Sequence, residues 1–355
     1  MSRFMRSQLQ PLKAYVPGEQ PKNMDELIKL NTNESPYPPS PAVAQAIGSA
    51  DIERLRLYND PDCGALRRAL AEDLELKPEQ ISVGNGSDEV LYFAMMAFGE
   101  RGAAFPDITY GFYTVWAKLL GMDQRIIPLE QDFSVDPSKY TGNDRMILLA
   151  NPNAPTGIAL RLDQIEEILR SNPDSVVLID EAYVDFGGES AVTLLNRYDN
   201  LLVSRTFSKS RQMAGARLGF LAGGAALIED VEKIRNSVNP YNVDGLTQKL
   251  GIASVVDRGY FDWARAQVID TREWTAAALR AMGFSVLPSE TNFVFAKHEG
   301  LSGRDYMEAL RTNGILVRWF DAPRIKDYVR ITIGTAEQMQ QFAQATQAIL
   351  GEVYR

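Results

Sequence analysis

Short, almost uninterrupted apolar runs recur along the chain as far as residue 222, and each of them leads into a conspicuously polar or glycine-rich segment. Met146-Ile147-Leu148-Leu149-Ala150 precedes NPNAPTG, Val176-Val177-Leu178-Ile179 precedes DEAYVDF, and Leu201-Leu202-Val203 precedes SRTFSKS. Leu218-Gly219-Phe220-Leu221-Ala222 precedes a glycine pair. Stretches with helical spacing, such as LDQIEEILR, fall between them. A strand wetted on one face alternates polar and apolar residues, whereas a strand covered on both faces is apolar throughout. The pattern therefore predicts an α/β fold: a mostly parallel sheet in a large domain with helices on both faces.

With 355 residues, two domains are expected rather than one small core. After about residue 245 the pattern changes to long amphipathic helices, over 246 to 256 and 262 to 281. Shorter strands follow around Phe293-Val294-Phe295, Ile315-Leu316-Val317 and Val329-Arg330-Ile331. This predicts a smaller α+β domain over 246–355, joined to a large domain over 41–245. Residues 1–40 carry Pro11, Pro17, Pro21, Pro36, Pro38 and Pro39, and read as an extended arm that packs on the small domain or on a partner.

The charge balance, 37 Lys and Arg against 46 Asp and Glu, leaves no basic excess for binding nucleic acid or an anionic membrane broadly. One cysteine, Cys63, excludes an internal disulfide and points to a reducing compartment, so a cytoplasmic location is expected. No apolar stretch reaches the length of a membrane span, and the basic residues Arg3, Arg6 and Lys13 are not followed by the apolar core of a secretory signal. A single histidine, His298, argues against histidine triads and histidine-rich metal sites, and no metal is expected. A proton shuttle in this chain is then a lysine, a tyrosine or a carboxylate.

In open parallel sheets ligands bind beyond the carboxyl ends of the strands, and the polar segments fall there one after another. Asp180 directly follows apolar strand residues, where an unpaired carboxylate is costly. It either caps the next helix or pairs a structural arginine, or it faces a cationic ligand nitrogen, with Tyr183 donating to the same ligand. Lys209 is either a solvated turn lysine or an amine held beside a phosphate by Thr206, Ser208 and Arg217. An amine so placed beside a carboxylate fits carbonyl chemistry with lysine as nucleophile. In Gly86-Ser87-Asp88-Glu89, Ser87 is an ordinary N-cap, or the helix start binds an anion through its N–H groups. Tyr110 is a core aromatic or stacks on a flat ring, Tyr58 is an exposed phenol unless something covers it, and NPNAPTG is a turn in which an asparagine can reach a ligand oxygen.

Taken in order, Asp180-x-x-Tyr183, Ser208-Lys209, Arg217, the P-T-G turn and Arg330 resemble the fold-type-I pyridoxal-phosphate aminotransferases. The segments YVPG (15–18), KLNTNESPY (29–37), GNGSDE (84–89), GILVR (314–318) and YVRITIGT (328–335) resemble, within that family, the histidinol-phosphate aminotransferases. The resemblance implies pyridoxal 5'-phosphate as cofactor and amino transfer between L-histidinol phosphate and 2-oxoglutarate. Related aromatic aminotransferases and amino-acid-phosphate decarboxylases share much of the pattern. It further implies that Lys209 links covalently to the cofactor and moves the proton, while Asp180 keeps the ring nitrogen protonated. Tyr183 bonds the phenolic oxygen and Tyr110 stacks on the ring; Ser87, Asp88, Thr206, Ser208 and Arg217 hold the phosphate. Tyr58 reaches that phosphate from a second subunit of a homodimer with shared sites. Arg330 and Arg318 take the substrate's anionic end, and Tyr15 and Asn33 line the pocket. The chain departs from the family at Ala154, where asparagine is usual, so either Asn153 or Asn151 substitutes or Tyr183 holds the oxygen unaided.

A phosphate-binding nucleotide site at Gly84-Asn85-Gly86 lacks both GxGxxG and a Walker lysine. A non-catalytic regulator of the same fold would carry a further DNA-binding or partner domain, and none is visible.

Overall fold

The structure is a computed structural model, and it describes residues 4–14, 18–20 and 27–353. In chain order the strands are β1 (Ile28–Lys29), β2 (Ile81–Gly84), β3 (Ala103–Pro106), β4 (Gln124–Ile127), β5 (Met146–Ala150), β6 (Val177–Asp180) and β7 (Leu201–Thr206). They continue with β8 (Gly219–Gly223), β9 (Ser285–Val286), β10 (Phe293–Lys297), β11 (Ile315–Leu316), β12 (Arg318–Trp319) and β13 (Tyr328–Thr332).

Seven strands form one sheet in the order β2-β8-β7-β6-β5-β3-β4, parallel except for β8, which runs antiparallel to both its neighbours. The apolar runs have the double burial that their composition requires. Leu201 and Val203 of β7 join one apolar cluster while Leu202 joins the other, and β5 divides Ile147 and Leu149 from Met146 and Leu148 in the same way. Helices Gly64–Asp73 and Leu162–Ser171 supply Leu66, Leu70, Ile165 and Ile168 to the first cluster. Helices Ser87–Phe98, Phe112–Leu120 and Ala225–Val238 supply Val90, Trp116 and Val231 to the second.

A second unit is built on the antiparallel sheet β12-β13-β10-β9, covered by helices Arg258–Ala281, Gly303–Thr312 and Ala336–Val353. The arm packs on it: β1 pairs in parallel with β11, and Leu30 is buried in its apolar cluster. Helix Gly245–Val256, read from sequence as the start of the small domain, packs elsewhere. Val255, Leu250 and Ile252 pack with the large sheet's cluster, and at Gly251 an added Cβ would lie 2.5 Å from Leu218 Cδ2. We therefore place the division at Asp257, which ends that helix and whose side chain accepts from Tyr260 N to cap the next. Among the described residues no helix is long and apolar enough to cross a membrane, and no group of three His, Cys, Asp or Glu residues could hold a metal.

Candidate active site

Asp180 is the last residue of β6, and the parallel register sets it beside Ser204 of β7. Ser204 Oγ donates to Asp180 Oδ1 (3.1 Å), and Tyr113 OH, from helix Phe112–Leu120, donates to Oδ2 (2.8 Å). Neither bland alternative for Asp180 is realised: it caps no helix, and no described cation forms an ion pair with it. Burial pushes its carboxyl up to about 6, against the two hydroxyls that favour the ionised form.

Lys209 follows β7 through a turn fixed by its own hydroxyls. Ser208 N donates to Thr206 Oγ1 (3.1 Å), which donates to Ser208 Oγ (3.0 Å), and the fully buried Phe207 anchors the segment below. Lys209 Nζ donates to the Thr32 carbonyl (3.2 Å) and lies 5.9 Å from the centroid of the Tyr183 ring. Burial, reinforced by the nearby Arg330 charge, lowers the amine to about 8, while Glu34 opposes that shift. Tyr183 OH accepts from Asn33 Nδ2 (2.8 Å). Asn33 holds a left-handed conformation (φ 58°), and its Oδ1 accepts from Thr332 Oγ1 (3.0 Å).

A third feature is the start of helix Ser87–Phe98. Gly86, not Ser87, is its cap, with φ 86°. An added Cβ on Gly86 would lie 2.6 Å from Arg217 Nη2, and one on Gly219 would lie 2.3 Å from Ser87 N. These glycines let Arg217 and strand β8 close directly on the helix N-terminus, whose first N–H groups have no partner within the helix. Arg217 Nη2 donates to Asp88 Oδ2 (3.1 Å) and Tyr110 OH to Asp88 Oδ1 (2.8 Å), so the Asp88 side chain ties the wall together.

These groups line two adjoining lobes of one cleft, sharing Thr32, Tyr110, Ala154, Tyr183 and Lys209. The first lobe, about 490 Å³, is also lined by Ser87, Asp88, Asp180, Thr206, Ser208 and Arg217. The second, about 390 Å³, has Asn33, Arg318, Phe320 and Arg330 in its wall. Tyr110 is thus a half-buried wall residue rather than core. Arg330 Nη2 donates to the Asn31 carbonyl (3.0 Å).

Several expected residues are not brought to the cleft. Asn153 donates through Nδ2 to the Ile108 carbonyl (3.1 Å) and Thr156 Oγ1 (3.0 Å), and Asn151 bonds Leu160 through both ends of its amide. Both side chains bond neighbouring protein groups and line neither lobe, whereas Ala154 faces the cleft. Tyr58 is 84% exposed and stacks on Tyr241 (centroids 4.6 Å apart), lining neither lobe. Tyr15 lies outside the described residues. The sequence reading passed over Tyr113, Ser204, Thr32 and Glu34. Tyr113 stands three residues beyond Tyr110, one turn along the same segment, and that spacing was the available signal.

Residues 25–345 match the family of class I and II aminotransferases, and the chain belongs to it. It is 47% identical over 351 residues to the histidinol-phosphate aminotransferase of Chromohalobacter salexigens, covering 98% of this chain and 99% of the relative. It is 50% identical over 340 residues to histidinol-phosphate aminotransferase 1 of Bradyrhizobium diazoefficiens, covering 95% and 97%. Its fold matches the solved structure of histidinol-phosphate aminotransferase from Sinorhizobium meliloti in complex with pyridoxal-5'-phosphate. That match has a TM-score of 0.84 at 23% identity and spans 98% of this chain and 100% of the other.

Proposed function

We propose that this protein is a pyridoxal 5'-phosphate-dependent transaminase. It exchanges an amino group between L-histidinol phosphate and 2-oxoglutarate, giving imidazole-acetol phosphate and glutamate, a step of histidine biosynthesis. The observation that carries the chemistry is that Asp180 and Lys209 face one cavity, a carboxylate with no ion-pair partner among the described residues and an amine with a lowered pKa. The residues fit the cofactor. An ionised acid at 4% exposure answers a protonated ring nitrogen, and the glycine-cleared helix start with Arg217, Thr206 and Ser208 answers a phosphate. When bound, the cofactor serves as the electron sink for the substrate's α-carbon and carries the amino group between substrates.

Each residue then has a defined task. Asp180, oriented by Tyr113 and Ser204, holds the positive charge at the ring nitrogen. Lys209 Nζ is the nucleophile and afterwards moves the proton at the substrate α-carbon; a lysine near neutrality does both, as a chain with one histidine requires. Tyr183, held by Asn33, would donate to the cofactor's phenolic oxygen, and Tyr110 would lie against its ring. Arg330 and Arg318 take the phosphate of one substrate and the carboxylate of the other, since a guanidinium fork suits either oxyanion. We assign Tyr58 to the cofactor phosphate of a second copy in a homodimer, and we place the enzyme in the cytoplasm.

The test is a spectrum of purified, cofactor-loaded protein titrated with three amino compounds. L-Histidinol phosphate bleaches the visible band of the bound cofactor, and phenylalanine and threonine phosphate do so poorly. Lys209→Ala has no measurable turnover. Preference for phenylalanine or threonine phosphate would overturn the substrate assignment, and a Lys209→Ala variant with normal turnover would overturn the mechanism.

A further inference from the structure

Two guanidiniums in the substrate lobe share one aromatic ring. Arg318 and Arg330 stand directly opposite each other on the antiparallel strands β12 and β13, a placement that brings like charges together at a cost. The Cζ atom of each lies 5.5 Å from the centroid of Phe320, the residue two positions beyond Arg318. The negative ring face of a phenyl group attracts guanidinium, so this one ring offsets part of the repulsion between them.

The ring is itself well fixed. It lies 6.4 Å, edge to face, from fully buried Phe295. Behind it the loop closes on itself, with Trp319 Nε1 donating to the Lys326 carbonyl (2.6 Å). Arg324 then fastens the loop to the large unit, Nη1 donating to Asp107 Oδ2 (2.8 Å) and Nη2 to the Glu130 carbonyl (2.6 Å). Arg330 has further supports in the Asn31 carbonyl and the Phe293 ring, 5.3 Å away. Arg318 forms no ion pair among the described residues.

We infer that Phe320 is a specificity-determining residue, the common seat that holds Arg318 and Arg330 together as a clamp for a dianionic phosphate group. The inference rests on the transaminase reading above and deepens it. A phosphate monoester carries close to two charges and three acceptor oxygens, so it engages both arginines. A carboxylate carries one charge and two acceptor oxygens, so it can reach either arginine but depends less on having both. Loss of the seat frees chiefly Arg318, the less supported of the two, and so weakens the phosphate substrate more than glutamate.

The experiment compares Phe320→Leu, which keeps an apolar side chain against Phe295, with Phe320→Tyr, which keeps the ring. KM and kcat are measured separately for the histidinol phosphate and glutamate half-reactions. Phe320→Leu raises KM for histidinol phosphate about tenfold and that for glutamate at most about twofold, with kcat and Tm close to the parent, and Phe320→Tyr restores the parent values. Equal rises for both substrates, no rise for either, or no restoration by tyrosine would overturn the proposal. Should the parent enzyme leave histidinol phosphate untouched, the transaminase substrate falls, not the clamp. Competitive inhibition by inorganic phosphate against glutamate then reads the clamp directly: about tenfold weaker in Phe320→Leu if Phe320 is the seat, unchanged if it is not.

Discussion

At neutral pH Asp180 is an acid held at 4% exposure, with two hydroxyls donating to it and, among the described residues, no cation answering its charge. In the folded chain its pKa is about 6 against an ordinary 3.8, so the folded state binds that proton more tightly than the unfolded one. The stability it contributes is complete below about pH 4 and is lost as the pH rises through about 6. Asparagine at this position keeps the volume and removes the titration. For cofactor-free protein, the stability of Asp180→Asn relative to the parent therefore grows by about 1–3 kcal/mol between pH 4 and pH 7, while transaminase activity collapses. Urea unfolding of both proteins at several pH values measures the difference, in which every other titrating group cancels. A difference that stayed flat would mean that the carboxyl is solvated or already paired. The unfavourable charge is what a ring cation relieves, so the same residue that weakens the empty protein ties its stability to cofactor binding.

The elements explain how much of this could be read from the chain. Asp180 is legible because it directly follows an apolar run, and Lys209 because it lies in the polar segment beyond the next one; the strand-end rule places both without any tertiary knowledge. The fold class is legible for the same reason. What escapes is whatever depends on register or on backbone. Ser204 meets Asp180 because β6 and β7 are in step, and Arg318 meets Arg330 because β12 and β13 are. Thr32 acts on Lys209 through a carbonyl, which any residue type provides. Helix Gly245–Val256 packs Leu250, Ile252 and Val255 on the large sheet's cluster, and its residue pattern does not say which of the two cores it covers. Asn153 donates to Thr156 of its own turn and to the Ile108 carbonyl and lines neither lobe, which the composition of a turn does not reveal.

One element-level contact gives a sharp test. Where β8 begins, Gly219 allows the chain to touch the backbone nitrogen of Ser87, and the obstacle to a Cβ there is main chain, which cannot swing aside. Gly219→Ala displaces the helix N-terminus from its strand. Cofactor affinity falls at least about tenfold and the protein loses about 1–3 kcal/mol. At Gly259, in the first turn of helix Arg258–Ala281, an added Cβ meets nothing within 4 Å. Gly259→Ala therefore leaves cofactor binding unchanged and gains about 0.5–1 kcal/mol. Cofactor titration and thermal unfolding of the pair separate a local obstruction from a general intolerance of glycine replacement.

At the scale of the whole molecule, the site is made by two units and the arm between them, and the proposed homodimer would add a second copy to it. Tyr58 is 84% exposed, and Ile52, Leu55 and Leu57 beside it are each more than half exposed, an unusual concentration of apolar surface in a short segment. If that segment lies over the cleft of another copy, as assigned above, each site draws its amine from one chain and a phenol from the other. Genetic complementation then distinguishes shared from separate sites. Lys209→Ala lacks the amine, and Tyr58→Ala at limiting cofactor lacks the phosphate contact; each alone is inactive or nearly so. In a mixed dimer one site has lost both groups and the other has lost neither. Refolding equal amounts together makes about half of the dimers mixed and restores about one quarter of parental sites. Sites built from one chain give no such gain, because every chain in the mixture is defective, and the activity of the mixture stays at the mean of the two variants. A gain without a doubling of mass in light scattering would equally contradict the assignment, since restoration requires that the two chains remain together.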